Sequence, residues 1–245
     1  MLIKGSLKVL LIMLKKIRIA KFIANAGFCS RREAEKLIED KIVKINDHLC
    51  LHPSETVNDS DKITIGKKII QMQDSIRLWK IYKPIKYICT TKDDRNRKKI
   101  FDLIPNNLPR MISIGRLDFM SEGLLLFTNN GDYSRNLELP SKGYERVYRV
   151  CINGQIEKKD IEKINKGIKI ENINYNKIKI KIDKLDKSYT WIVAKLKEGK
   201  NREIRNICKY FSWNIVKLIR IQYGPYKLGN LKEGKIEEIK VIKDA

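Results

Sequence analysis

The sequence is short of what a disulfide scaffold, a zinc finger or a membrane span requires. Its five cysteines, Cys29, Cys50, Cys89, Cys151 and Cys208, follow no pairing rhythm and no Cys-x-x-Cys spacing. That excludes a disulfide framework and a structural zinc site and implies a reducing cytoplasm. The two histidines, His48 and His52, flank Cys50 in an alternation that suits a strand or loop as well as a metal. Neither a metal-ligand set nor a glycine-rich nucleotide loop occurs. The amino-terminal run MLIKGSLKVLLIML is interrupted by lysine, too short to span a bilayer and without a small-residue cleavage site. No membrane is therefore expected as a partner. Residues 1–14 read as an extension, with Met13 as the alternative start and an organelle-targeting leader as the other reading. With no heptad repeat and no unclaimed apolar stretch, a monomer is expected.

Acidic side chains are also scarce. Against 52 Lys and Arg stand 29 Asp and Glu, a formal charge of +23. Lysine, isoleucine and asparagine enrichment accounts for part of this excess as compositional bias, and the remainder favours a polyanionic partner, since each phosphate contact releases condensed counterions. Nucleic acid ranks first and an acidic membrane surface second. With 245 residues and 42% hydrophobic content, the chain forms one or two globular domains.

Ile19, Phe22, Ile23 and Ala26 repeat at helical spacing, and Gly27 follows where a left-handed cap belongs. Ser30-Arg31-Arg32-Glu33 then predicts a capping box, with Ala34, Leu37 and Ile38 as the buried face of a second helix. Residues 42–46 and 62–65 read as short strands. Arg18, Lys21, Arg31, Arg32 and Lys36 fall on the outward faces and form a surface suited to phosphates. The polar stretch 69–76 reads as a linker, which places domains at 15–70 and 76–245.

In the larger domain, Trp79 to Tyr82 predicts a strand stopped by Lys83-Pro84. The segment IGRLDFMSEGLLLFTNNG follows a charged loop over 92–99. Ile112 and Ile114 end one buried strand, Leu124 to Phe127 make another, and Asn129-Asn130-Gly131 turns the chain. Asp118 lies between the strands with Arg116 two positions earlier. It is either a nucleophile or base held ionised, or a carboxylate satisfied by backbone amides. Helical patterns over 157–167 and 202–210 among Ile- and Val-rich strands predict an α+β domain around a largely antiparallel sheet.

Two resemblances extend these readings. RIAKFIANAGFCSRREAEKLIEDKIVKIN is similar to the RNA-binding domain first described in small-subunit ribosomal protein 4, except that Asp40-Lys41 stands where that family has a glycine-containing turn. Gly-Arg-Leu-Asp followed by Ser-Glu-Gly-Leu-Leu-Leu resembles the signature of the RsuA/RluB family of ribosomal RNA pseudouridine synthases. The family's pattern implies Asp118 as the catalytic residue. YERVYRV implies Tyr148 as the aromatic that packs on the target base. EGKNREIR implies Arg205 as the basic partner of Asp118. KLIR implies Leu218 as an apolar wall of the uracil pocket. Arg116, Arg202 and Arg220 read as RNA contacts, beside Arg31, Arg32 and Lys36 in the front module. Lys86 departs from the glycine usual after the Lys-Pro turn, and Asn130 from a frequent aspartate.

The resemblance implies a mixed sheet with the cleft across its middle and an isomerase that needs neither metal nor organic cofactor. Its substrate would be ribosomal RNA during ribosome biogenesis. The ending KLIRIQYGPYKLGNLKEGK is similar to the branch acting on large-subunit (23S) rRNA or its precursor. The alternatives are a small-subunit target and a catalytically inactive RNA-binding assembly factor.

Overall fold

A computed structural model describes residues 16–73 and 75–242; the extension read over 1–14 lies outside them. The described chain forms two compact units. The first holds residues up to Ile76 with Pro109–Met111 and Asn129–Gly131, and the second holds Arg77–Leu108, Ile112–Thr128 and the chain from Asp132 onward.

In the first unit a short strand β1 (Ile17–Arg18) leads into helix α1 (Ile19–Asn25), followed by α2 (Arg31–Glu39). Gly27 has φ +81°, the left-handed value that ends a helix at little cost for glycine. Both halves of the α2 capping box form: the Glu33 amide donates to Ser30 Oγ at 3.2 Å and the Ser30 amide to Glu33 Oε2 at 2.9 Å. Strands β2 (Val43–Ile45), β3 (His48–Leu49), β4 (Thr56–Val57), β5 (Ile63–Ile65) and β6 (Lys68–Ile70) complete the unit. Four of them make a sheet of order β3-β2-β5-β6, and β4 pairs with β1. Ile19, Ile23, Ala34, Ile38, Val43 and Ile63 are fully buried between helices and strands. Two residues read as linker, Ile69 and Ile70, instead belong to β6. Pairing across the Gly66-Lys67 turn recruits them to the sheet.

The second unit is built on one nine-stranded sheet. Its strands are β7 (Leu78–Lys83), β8 (Ile112–Ile114), β9 (Glu122–Thr128), β10 (Arg146–Asn153), β13 (Lys179–Leu185), β14 (Tyr189–Leu196), β15 (Asn214–Tyr223), β16 (Tyr226–Lys227) and β17 (Ile236–Ile239); β11 (Ile168–Ile170) and β12 (Ile173–Tyr175) form a separate hairpin. The main path runs β13-β14-β10-β15-β9-β7-β17, with β8 on β9 and β16 on β15. Every pair is antiparallel except β9 with β15, so the sheet is mixed and largely antiparallel, as the sequence predicts.

Helices α4 (Lys158–Lys166) and α5 (Glu203–Tyr210) cover one face of the β10, β14 and β15 region, burying Ile164 and Ile207 against Val150, Ile192 and Leu218. Helix α3 (Gly131–Glu138) packs Leu137 with Leu124 and Leu126 of β9. The sequence predicts only a turn at 129–131 and misses α3, whose apolar face is reduced to Tyr133 and Leu137. Among the described residues no helix is long and apolar enough to cross a membrane.

One glycine joins the two halves of this sheet. Gly123 has φ +100°, and a Cβ there would meet the Arg220 carbonyl oxygen at 2.5 Å. Only glycine allows β9 and β15 this close approach, with Gly123 opposite Arg220. The parallel contact sets the loop before β9 beside β15.

Candidate active site

That loop carries Asp118. The Ser121 amide donates to the Asp118 carbonyl at 3.0 Å, closing a four-residue turn between β8 and β9. Arg205, from α5, grips the turn by one nitrogen. Its Nη2 donates to the Met120 carbonyl at 2.8 Å and to Ser121 Oγ at 3.2 Å. Its Nε stands 3.7 Å from Asp118 Oδ2, an ion pair longer than a hydrogen bond. This Nε has no hydrogen-bond acceptor, so the carboxylate is the group that faces it. Burial lowers the Arg205 pKa and Asp118 opposes that shift. Arginine stays charged through such a shift. The Asp118 side chain is 33% exposed and that of Arg205 16%, so the carboxylate opens toward solvent while its partner is held behind it.

A second cation sits beneath the turn. Lys83, fully buried, donates from Nζ to the carbonyls of Ser121 at 2.8 Å and Pro84 at 2.9 Å. Burial pushes its pKa down to about 8, opposed by the charges of Cys89, Asp118 and Glu122 and reinforced by Arg220. On the other side of the loop, Cys89 Sγ donates to the Leu117 carbonyl at 3.4 Å and accepts from the Leu117 amide at 3.5 Å. The Lys86 amide donates to the Phe119 carbonyl at 2.7 Å. The residues from Leu117 to Ser121 are therefore fixed from three directions.

The turn opens into a cleft of about 550 Å³, also lined by Tyr148, Leu196, Leu218, Arg116 and Arg202. A register shift between Val147 and Tyr148 against β15 pairs Tyr148 with Arg220, and such bulges re-aim side chains. Leu218 is 4% exposed and forms an apolar wall. Arg116 and Arg202 are exposed at the rim. Arg202 caps the start of α5 with φ +52°, a left-handed value unusual for a non-glycine residue. Below it Glu203, 3% exposed, accepts from the amides of Gly199 at 3.0 Å and Lys200 at 2.8 Å. Burial raises its pKa, against the lowering effect of those amides.

Six of the predicted residues thus have defined places in this unit. Asp118, Arg205, Tyr148, Leu218, Arg116 and Arg202 converge on the cleft. Arg220 does not, and its reading as an RNA contact is corrected. It is 2% exposed, and its Nε donates to the Leu124 carbonyl at 2.7 Å, which ties β15 to β9 from within. Arg31, Arg32 and Lys36 are exposed on α2 of the first unit. Sequence reasoning passed over Lys83, Cys89, Ser121 and Glu203. Only Lys83 carried a signal, as a lysine in an otherwise buried strand. Among the described residues no group of His, Cys, Asp and Glu is arranged to hold a metal.

The second unit thus carries an arginine-paired aspartate in an open, basic-rimmed cleft on a mixed sheet, and a helical pair with a basic face precedes it in the chain. Residues 77–210 match the family described as RNA pseudouridylate synthase, and residues 17–63 match the S4 domain. The chain belongs to the RNA pseudouridine synthase family. It is 48% identical over 224 residues to an uncharacterized RNA pseudouridine synthase of Rickettsia felis, covering 91% of this chain and 96% of that one. It is 32% identical over 224 residues to the ribosomal large subunit pseudouridine synthase B of Bacillus subtilis, with 91% of each chain covered. A similar protein of that name from Buchnera aphidicola is 36% identical over 231 residues, covering 89% and 88%. The fold resembles a solved pseudouridylate synthase with a TM-score of 0.64 and 24% identity, covering 91% of this chain and 96% of that one. The chain is an RNA-binding pseudouridine synthase.

Proposed function

We propose that this enzyme isomerises a specific uridine of large-subunit (23S) rRNA, or of its precursor particle, in the cytoplasm and as a monomer, with Asp118 as the nucleophile. The observation that carries the reading is the Asp118–Arg205 pair at 3.7 Å in a cleft that also holds Tyr148 and Leu218. The relatives named for the large ribosomal subunit supply the choice of RNA.

A uridine in structured RNA hides its glycosidic bond, so the nucleotide must be flipped out, at a loss of a few kcal/mol of stacking. Tyr148 offers a ring for the extruded base and Leu218 an apolar wall. Arg116 and Arg202 at the rim, with Arg31, Arg32 and Lys36 on the front unit, supply backbone affinity. Asp118 attacks the ribose carbon as the N1 glycosidic bond breaks, and the electron pair of that bond leaves on the uracil. The uracil rotates in the pocket and C5 bonds to the ribose carbon, displacing the Asp118 carboxylate; C5 loses a proton and N1 gains one, so no atom is added or removed. Arg205 keeps the carboxylate charged and aimed, and the grip on Met120 and Ser121 fixes its backbone. Preorganised charge of this kind acts mainly on the transition state.

The test is to incubate wild-type and Asp118→Ala protein with unmodified transcripts of both ribosomal RNAs and map pseudouridines by carbodiimide-dependent reverse-transcription stops. A wild-type-only stop in large-subunit rRNA is expected. Stops confined to small-subunit rRNA would replace the target, and stops with Asp118→Ala would remove Asp118 from its role.

A further inference from the structure

Beside the cleft lies a second hollow of about 510 Å³, where α5 turns into β15. We infer that this hollow is a subsite for the nucleotide next to the target uridine, taking its phosphate on Arg202 and Lys209 and its base against Trp213 and Ile215. The inference rests on the reading of the cleft as a uridine site.

Helix α5 is two-sided. Ile204, Ile207 and Cys208 are buried in the core, while Asn206 and Lys209 share the other face at i and i+3 and Arg202 caps its start. The helix ends at Tyr210, Ser212 with a φ of +57° swings the chain around, and the Trp213 amide returns to the Cys208 carbonyl at 2.7 Å. The half-buried Ile215, with Trp213 only 8% exposed beside it, forms an apolar floor under a rim of cations.

Three features identify the ligand class. The lining contains three cations, Arg202, Arg205 and Lys209, and no carboxylate, so it selects an anion. An apolar floor beside cations suits a nucleotide, whose base can pack on Ile215 and the small exposed part of Trp213 while its phosphate meets the cations. Finally, Arg202 and Arg205 line both this hollow and the catalytic cleft, so an occupant here is contiguous with one there. Asn206 is already engaged, donating to Tyr175 Oη at 3.0 Å and the Asn201 carbonyl at 3.2 Å, and stiffens the wall.

The experiment uses full-length Asp118→Ala protein, to stop turnover, and a stem-loop RNA carrying the mapped uridine. Matched RNAs replace the phosphate on either side of that uridine by a neutral methylphosphonate. Lys209→Glu, at an exposed position, is expected to weaken binding about tenfold and Lys209→Gln less. One neutral linkage should weaken the parent protein several-fold and Lys209→Glu by clearly less, because in that variant only Arg202 remains on the phosphate. Parent-like affinity of Lys209→Glu, or an equal weakening by the neutral linkages in both proteins, overturns the subsite. Failure of the wild type to form pseudouridine in any transcript overturns the uridine reading of the cleft and the subsite with it. Wild-type pseudouridine formation with an unaffected Lys209→Glu removes the subsite alone.

Discussion

The cations around Asp118 and those on α2 are the same kinds of residue put to opposite uses. Lys83 is buried and Arg205 half-buried, and each directs a donor to a backbone carbonyl of the turn that carries Asp118, Lys83 to Ser121 and Arg205 to Met120. Arg31, Arg32 and Lys36 are exposed and stand on a helix whose own stability comes from its cap and its buried face. A buried charge is tolerated only when its donors are satisfied, so it fixes geometry. An exposed charge fixes little and is left to attract phosphate at long range, more weakly as salt rises. The first set should therefore govern rate and pH behaviour, and the second affinity.

The sharpest break between the two is at the carboxylate. Asp118→Asn should lower kcat by roughly 10⁴ or more, as loss of a nucleophile does elsewhere, with RNA affinity within about twofold of wild type. Equal losses in kcat and affinity would show that Asp118 belongs with the binding charges. Arg205→Lys comes next. A lysine keeps the charge but not a planar fork able to reach Met120, Ser121 and the carboxylate together. Single-turnover rates should fall about 10² to 10³-fold. Wild-type turnover in Arg205→Lys would reduce the residue to a source of charge.

Lys83 tests the same contrast through pH. Its folded pKa of about 8 lies below the ordinary 10.5, so between those values the unfolded chain binds more protons. Stability then rises with pH across that window, by up to about 1.4 kcal/mol per pH unit for one proton, and the penalty of burying the charge is fully present below it. Denaturation of wild type and Lys83→Met from pH 7 to 10.5 should show this rise in the wild type only, once the shared background is subtracted. Parallel profiles would mean that Lys83 is not held charged out of water. On the exposed side, Arg31→Glu with Arg32→Glu should weaken binding to an rRNA transcript and reduce the slope of log K against log salt by about 1 for each phosphate no longer neutralised, leaving single-turnover rates at saturating RNA unchanged. An unchanged slope would separate α2 from RNA.

How much of this was legible in advance follows the range of the interactions. Ser30 with Glu33, Gly27 and the 3.6-residue period of Ile19, Phe22 and Ile23 are local, and α1 and α2 form where those signals stand. The Asp118 segment was legible as two strands around a carboxylate, and the resemblance of EGKNREIR drew attention to Arg205. Asn46-Asp47, with φ of +49° and +66°, is a hairpin turn that announces β3, a signal available in the dipeptide and passed over. What stayed hidden depends on pairing between distant segments. The burial of Arg220 follows from the parallel contact of β9 with β15, which no local pattern marks. One of the two acceptors of Lys83 lies 38 residues away, so a lysine in a buried strand was a signal that could not point to the Asp118 turn.

The smallest effect belongs to the most legible feature. Ser30→Ala removes the hydroxyl that accepts the Glu33 amide, and Glu33→Ala removes the carboxylate that accepts the Ser30 amide. Each should destabilise the first unit by about 1 kcal/mol, and the pair by less than the sum, since either change already breaks the reciprocal box. Amide hydrogen exchange would register this as faster opening of α2, with Ile81 and Leu126 in the core of the second unit unaffected. RNA affinity should drop only slightly, because Arg31 and Arg32 remain on a helix that is still mostly formed. A loss of affinity as large as the double charge reversal would show that α2 presents its cations only when its first turn is locked. The exposed set would then depend on fixed geometry as strictly as the buried one does.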